Sequence, residues 1–347
     1  MEISSLREDL EVLWQKQKPF VAFCFPESNE VKIFHQTDEQ LHQTDNLNCE
    51  GFVMTPFDPI TASYFIPNTL QKKYERPKNE PVTSSKVELP VEPHVKNNFI
   101  SLIQKALKSI LVEDFKKVVL SRRIKYKSSR LPPEVFLTLL NTNPEAMVYL
   151  WSHPKLGTWL GASPEKFFKK NEFGIQTEAL AGTRLYLNDK TTGWTKKEIE
   201  EQAFVSQQIR TDLADFFKPE EIIEHPPRTV RAGNLIHLSS LFELPKTNRP
   251  IQQLVQALHP TPAIGGIPKT ITRHFILENE GYERSFYTGF FGPVSATNTQ
   301  LFVNLRCAQW LGVNFALYVG AGITSGSTPE KEWEETQRKA QTIAKVL

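Results

Sequence analysis

The sequence predicts an α+β fold: large, mostly antiparallel sheets flanked by helices. Strand-like segments far outnumber helix-like ones, and several follow one another across hairpin-like connections instead of alternating with helices. That order argues against a doubly wound parallel sheet, and no repeat of short period is present.

Residues 1–16 carry apolar residues at helical spacing. VAFCFPE (21–27), EVKIFHQ (30–36), GFVMTPF (51–57) and ASYFIPN (62–68) read as short strands in hairpins. Residues 69–95 are charged and Pro-rich with little apolar periodicity, and read as a surface connection between a variable N-terminal part and the rest. HVKNNFISLIQKALKSIL (94–111) returns to helical spacing. Beyond it VVLSRRIKY, MVYLWSH, TWLGASP, GIQTEALAGT, LIHLSSLFEL, FYTGFFGPV, LFVNLRCAQW and FALYVGAGI read as strands. Helices are expected at about 195–216, 251–258, 268–280 and 329–347.

The 347 residues are 23% charged and 39% hydrophobic, with 23 Phe and 6 Trp, so one large domain or two ordinary ones can bury a substantial core. A formal net charge of +2 gives no reason to expect a nucleic-acid surface. Cys24, Cys49 and Cys307 are scattered without a CxxC pair and read as buried thiols of a reducing cytoplasm. The first residues, MEISSLREDLEVLW, lack a basic stretch followed by an apolar one, so no signal peptide is expected. No run of about 18 apolar residues predicts a membrane span. No exposed apolar helix stripe asks for a partner chain, so a monomer is expected.

The chemistry-bearing residues begin in the C-terminal third. In STPEKEWEETQRKA (327–340), Glu332, Glu335 and Lys339 fall at i, i+3 and i+7, one face of a helix with Thr328 as N-cap and Pro329 at its first position. Such a pattern is often only a solvated face. Trp333 and Ile343 argue that this helix is largely buried, and the preceding GAGITSGST is a Gly-rich turn of the kind that brings backbone N–H groups up to a ligand. Glu201 precedes Val205 and Ile209 by four and eight residues in TKKEIEEQAFVSQQI, which puts it at the apolar face of a second helix. Either that face is rotated and Glu201 is solvated, or the carboxylate is paired or metal-bound. Magnesium takes one or two protein carboxylates and fills its remaining positions with water and ligand oxygens, which Glu201 with Glu335 would suit. Lys117 opens the strand VVLSRR; it is either an edge residue in water or a buried amine fit for base catalysis. Glu165 follows Gly–Ala–Ser–Pro at a strand end; at the surface it is ordinary, and in an apolar cleft it holds a proton and can act as an acid. Arg306, mid-strand in FVNLRCA, needs an anionic partner from the protein or a ligand.

KVVLSR, LGASPE, ALAGTR, the EEQAFV helix, HLSS, HPTPAIGG, RSFYTGFFG, FVNLRCA, VGAGI and EWEETQRKA run in one order from about residue 96 to the end, nearly three quarters of the chain. With these the chain resembles the chorismate-binding enzymes, and within them the isochorismate synthases. The resemblance implies the fold of anthranilate synthase component I. Residues 1–95 are then the variable N-terminal part of that fold, without a clear tryptophan-feedback signature, and residues 96–347 its chorismate-binding catalytic part. Lys117 stands where water-using members have Lys and ammonia-using members Gln. Ala181, in ALAGT, stands where aminodeoxychorismate synthases carry a nucleophilic Lys.

The activity implied is Mg²⁺-dependent conversion of chorismate to isochorismate, with water adding at C2 and the C4 hydroxyl departing. Salicylate synthase, which goes on to eliminate pyruvate, is the alternative, and an inactive relative a further one. Lys117 would be the base and Glu165 the acid. Mg²⁺ would be held by Glu201 and Glu335, with Glu332 through water. Arg306 and Lys339, with backbone N–H groups near Gly320 and Gly322, would hold the enolpyruvyl carboxylate. Gly182 and Thr183 would lie beside the ring carboxylate, with Ile264 and Tyr287 against the substrate. The departures are Thr324 where relatives often have Val and EEQ where they show an acidic–His–acidic pattern. The second leaves Glu198 and Glu200 as rivals of Glu201, and Glu178 is a further carboxylate near ALAGT. Menaquinone synthesis is the pathway suggested first and siderophore synthesis second.

Overall fold

The computed structural model describes residues 3–58, 61–77, 87–186, 193–232 and 235–347. The N-terminal part comprises α1 (Ile3–Gln15), β1 (Phe20–Cys24), β2 (Glu30–His35), β3 (His42–Thr44), β4 (Gly51–Thr55), β5 (Ser63–Pro67) and β6 (Gln71–Glu75). Then come α2 (Pro93–Leu111), β7 (Lys117–Lys127), α3 (Pro132–Thr142), β8 (Met147–His153), β9 (Gly157–Ser163), β10 (Lys166–Lys170), β11 (Ile175–Leu185) and α4 (Lys196–Leu213). The remainder is β12 (Ile223–Glu224), β13 (Arg228–Ala232), β14 (Leu235–Leu244), α5 (Ile251–Leu258), β15 (Gly266–Ile267), α6 (Lys269–Asn279), β16 (Phe290–Val294), β17 (Thr299–Val303), β18 (Cys307–Trp310), β19 (Asn314–Thr324) and α7 (Pro329–Ala344).

Two antiparallel sheets result. The nine-stranded sheet runs β15-β7-β19-β18-β9-β8-β1-β2-β6; the other runs β12-β14-β11-β10-β17-β16-β4-β5-β3, with β13 added beside β14. The N-terminal strands extend both sheets: β1 pairs with β8, and β4 with β16. The expected α+β architecture is thus observed.

Strand β1 explains the layering. All five of its residues, FVAFC, are buried. Phe20, Ala22 and Cys24 face the cluster shared with α1, α3 and α7, whereas Val21 and Phe23 face an aromatic cluster with Phe52, Trp151, Phe291 and Phe302 between the sheets. A strand covered on both faces reads as a continuous apolar run, as this one does. Each of its Phe and Val side chains contributes roughly 1.5–3 kcal/mol by leaving water. The outer face of the ten-stranded sheet is covered by α4 and α5 through Val205, Ile209, Leu254 and Val255.

Beyond the short strands β3, β10, β12, β13 and β15, which were not expected, two elements depart from the sequence expectation. Helix α3 was not anticipated: PPEVFLTLLNT buries Val135, Phe136, Leu137, Leu139 and Leu140 nearly all round, so no amphipathic period marks it. And the segment 69–95 contains an edge strand, β6, which pairs with β2 and buries only Tyr74. Its charged residues belong to an exposed sheet edge, where charge discourages further pairing. After residues that lie outside those described, Val87 docks on α7: its N–H donates to Gln341 Oε1 at 3.0 Å, and Gln341 Nε2 donates back to its carbonyl at 2.9 Å.

Candidate active site

A cavity of about 320 Å³ is lined from both sheets: Lys117 and Val119 on β7, Gly320 and Gly322 on β19, Glu332, Glu335 and Lys339 on α7, and Glu201 on α4. The register explains this convergence. Val119 faces Gly322 and Ser121 faces Gly320 across the β7–β19 ladder, and the chain leaves β19 through a short turn into α7, which packs back on that strand. Helix α4 reaches the cavity from the other sheet, where it lies on β11. It starts from a capping box in which Glu198 reaches back to the N–H of Thr195 at 2.8 Å.

Lys117 is buried, 8% exposed, and its Nζ lies 2.8 Å from Glu201 Oε1. The missing side chain of Gly322 makes room for it, since a Cβ there would stand 3.3 Å from Lys117 Cε. The rival carboxylates separate clearly. Glu198 is held by Arg184 at 2.6 Å, Glu200 sits exposed beside Lys196, and Glu201 faces Lys117. The neighbouring Gln202 is buried and fixes α4 by donating to the Ala179 carbonyl and to Ser240 Oγ.

Glu165 lies between β9 and β10 and is likewise buried. Burial lifts its carboxyl from 4.5 to about 7; Lys117 and Lys339 pull it down and Glu178 pushes it up. Glu178 itself accepts from Ser239 Oγ at 3.2 Å and does not line the cavity. On α7, Glu335 pairs with Lys339 at 2.6 Å, and Lys339 also donates to the Gly320 carbonyl at 3.0 Å. Burial raises the Glu335 carboxyl, but Lys339, Arg338 and Arg306 outweigh it, and its net position is below the usual carboxylate value.

Arg306 does not lie inside a strand. It sits in the connection between β17 and β18 with φ +48°, and this kink turns it into the cavity. Its Nη1 donates to the Lys339 carbonyl at 2.9 Å and to Thr342 Oγ1 at 3.3 Å, so the partners seen are oxygens of α7. Gly182, at a bulge in β11 with φ +67°, lines the cavity with Ile264 and Tyr287. Thr183 follows it on β11, but its side chain lies outside the described residues. Ala181 also borders the cavity while packing into the core beneath α4.

Among the lining residues that the sequence reading gave no role is His237, although HLSS was noted. His237 Nδ1 donates to the Gly182 carbonyl at 3.0 Å. Burial, with help from Arg306 and Lys339, depresses it to about 4, so near neutrality it is an uncharged imidazole beside the cavity. Its place on β14, paired with β11 and so opposite ALAGT, was the only cue.

Among the described residues no group of three or more His, Cys, Asp or Glu stands close enough to cage a metal ion. The donor set nevertheless fits a hard divalent cation. Glu201, Glu332 and Glu335 all line one cavity, and magnesium is commonly bound through one or two carboxylates with water and substrate oxygens completing its shell. Among the described residues no helix is long and apolar enough to cross a membrane.

The sequence pattern of the family described as chorismate binding enzyme matches residues 54–347. Isochorismate synthase DhbC of Bacillus subtilis is 33% identical over 201 residues, 55% of this chain and 50% of that protein, so the match spans half the length of that relative. The vibriobactin-specific isochorismate synthase of Vibrio cholerae is 27% identical over 332 residues, 90% of this chain and 84% of that protein. The solved structure of DhbC from Bacillus anthracis matches with a TM-score of 0.81 at 23% identity, over 99% of this chain and 98% of that one, which shows a shared fold.

Proposed function

We propose that this chain, which belongs to the chorismate-binding enzyme family, converts chorismate to isochorismate. The observation that carries the reading is the pairing of two buried groups of opposite duty in one cavity: Lys117, an amine, and Glu165, a carboxyl held up to about 7. The reaction needs such a pair. Lys117, after giving up to solvent the proton with which it meets Glu201, takes a proton from water as the oxygen bonds to C2. The ring double bonds shift from C1=C2 and C5=C6 to C1=C6 and C4=C5. The C4–O bond breaks, and Glu165 protonates the departing hydroxyl. One water enters and one leaves, so the change is an isomerisation. Each turnover leaves Lys117 protonated and Glu165 ionised, and solvent resets both.

Arg306 and Lys339 supply positive charge for the enolpyruvyl carboxylate, and Gly182, Ile264, Tyr287, Gly320 and Gly322 shape the surrounding surface, with Thr183 proposed beside the ring carboxylate from the resemblance alone. Glu201 and Glu335, with Glu332 behind water, would hold Mg²⁺, which when bound neutralises and orients the ring carboxylate. Ala181 offers no amine for a covalent route. The names of the relatives suggest menaquinone or siderophore synthesis as the use of the product.

Chromatography of products after incubation with chorismate and Mg²⁺, with and without ammonium, tests the reading. Isochorismate alone, lost with EDTA, is the expected result. Salicylate with pyruvate would move the assignment to salicylate synthase, an aminated product would mean ammonia replaces water, and no product would mark an inactive relative.

A further inference from the structure

A second buried charge cluster lies behind the cavity wall. Glu280, near the end of α6, and Arg284 have side chains only 1% exposed and pair at 2.5 Å. All five guanidinium N–H groups are used. Nε and Nη2 donate to Glu280. Nη1 donates to the Ile264 carbonyl at 2.9 Å and Thr288 Oγ1 at 3.2 Å, and Nη2 also donates to the Val119 carbonyl at 2.6 Å. Glu280 is equally full: besides Arg284 it accepts from the N–H of Ser121 at 2.7 Å and from Ser121 Oγ at 2.9 Å. The guanidinium stacks 4.4 Å from the Phe57 ring.

The groups this pair holds are the cavity wall itself. Ile264, Thr288 and Val119 line the cavity, and Val119 stands two residues from Lys117 on the same strand face. Thr288 adopts φ +59° and Ser285 φ +51°, a left-handed backbone that a β-branched residue such as Thr288 resists and that needs outside support. Ser121 faces Gly320 across the ladder, and the Tyr287 hydroxyl lies where a Gly320 Cβ would stand, 2.9 Å away. By contrast, no hydrogen bond of Arg284 or Glu280 in this network reaches Arg306, Lys339, Glu201 or Glu335.

A buried ion pair stabilises a fold little better than apolar residues of the same shape. Its merit here is directional: one planar fork sets three segments, β7, the loop around Ile264 and the turn 284–288, at fixed spacing. We infer that Arg284, oriented by Glu280, is a positioning residue that holds Lys117 and the Ile264–Tyr287 wall in register for the reaction. The inference rests on the proposed chorismate chemistry.

The test compares Arg284→Lys with wild type by steady-state kinetics on chorismate and Mg²⁺ and by thermal melting. Lysine keeps the charge but has three donors and no fork. The expected result is a kcat lower by about 10- to 100-fold, the order that a misplacement near 1 Å produces, with KM within about threefold and the melting temperature nearly unchanged. Unaltered kcat, or a fall in kcat explained by the unfolded fraction or matched by an equal rise in KM, overturns it. If Arg284→Lys does not fold, Glu280→Asp, which keeps the charge and shortens its reach to the guanidinium, is read by the same criteria. Product analysis of the wild type reports separately on the chorismate reading: a different product there leaves the kcat-against-KM comparison intact.

Discussion

Replacing Glu165 by Gln should make the protein more stable and nearly inactive, and the size of the first effect follows from the structure. Burial lifts this carboxyl from 4.5 to about 7. Because the folded value lies above the unfolded one, the stability associated with the group is whole below pH 4.5. It is lost as pH rises through about 7, where the folded protein must ionise it. At about 1.4 kcal/mol per pH unit of displacement, the penalty above pH 7 is roughly 3 kcal/mol. Gln occupies the same space without a charge. Melting followed by circular dichroism should therefore show Glu165→Gln more stable than wild type at pH 8 by several degrees, given about 2–4 °C per kcal/mol for large domains. The gap should shrink at pH 5. In the same proteins wild-type kcat/KM should fall about tenfold per pH unit above 7, because only the protonated acid serves the leaving hydroxyl. A stability gap that is absent at pH 8, or equally large at pH 5, would refute the raised carboxyl. A flat alkaline limb would refute its role as the acid.

Lys117→Met should lower turnover by about 10²-fold or more while calorimetry still detects chorismate binding; near-normal turnover would remove Lys117 as the base. Glu335→Gln should abolish the dependence of activity on added Mg²⁺, and an unchanged metal titration would count against Glu335 as a ligand. Gly322→Ala introduces a Cβ 3.3 Å from Lys117 Cε. It should reduce kcat several-fold with little change in melting temperature; an unaltered kcat would mean that the amine has slack at that point.

The parts legible in the sequence were those whose cause is local. The α7 stripe announced itself because Glu332, Glu335 and Lys339 obey helical spacing within one segment. The β1 run was legible because a strand buried on both faces must be apolar throughout. What escaped depends on distance along the chain. Arg306 was placed inside a strand because FVNLRCA looks continuous, whereas its φ of +48° breaks the run between β17 and β18. Glu201 was preferred to Glu198 and Glu200 from the sequence, but the different partners of the three, Lys117, Arg184 and Lys196, were not legible, and of these only Lys196 is near in sequence. Arg284 opens the noted stretch RSFYTGFFG, but its role could not be read there, since its acceptors at Val119, Ile264 and Thr288 come from three segments that meet only in the folded chain.

Given the proposed substrate, the charges around the cavity favour a divalent cation. Glu198 is neutralised by Arg184. The remaining carboxylates, Glu201, Glu332 and Glu335, are matched by Lys117, Arg306 and Lys339, and Glu165 is largely protonated below about 7. The protein groups lining the cavity therefore sum to a charge close to zero. A substrate with two carboxylates would bring two uncompensated negative charges into a partly buried cavity, which costs free energy. Lys117 and Lys339 are already engaged by Glu201 and Glu335. A cation of charge +2 bound to those carboxylates would balance the substrate and release both lysines. It follows that chorismate and Mg²⁺ should each tighten the binding of the other, by the same factor, because linkage is reciprocal. Titrating Mg²⁺ with and without saturating chorismate measures that factor, and a value of one would show that the charge balance is struck by other groups.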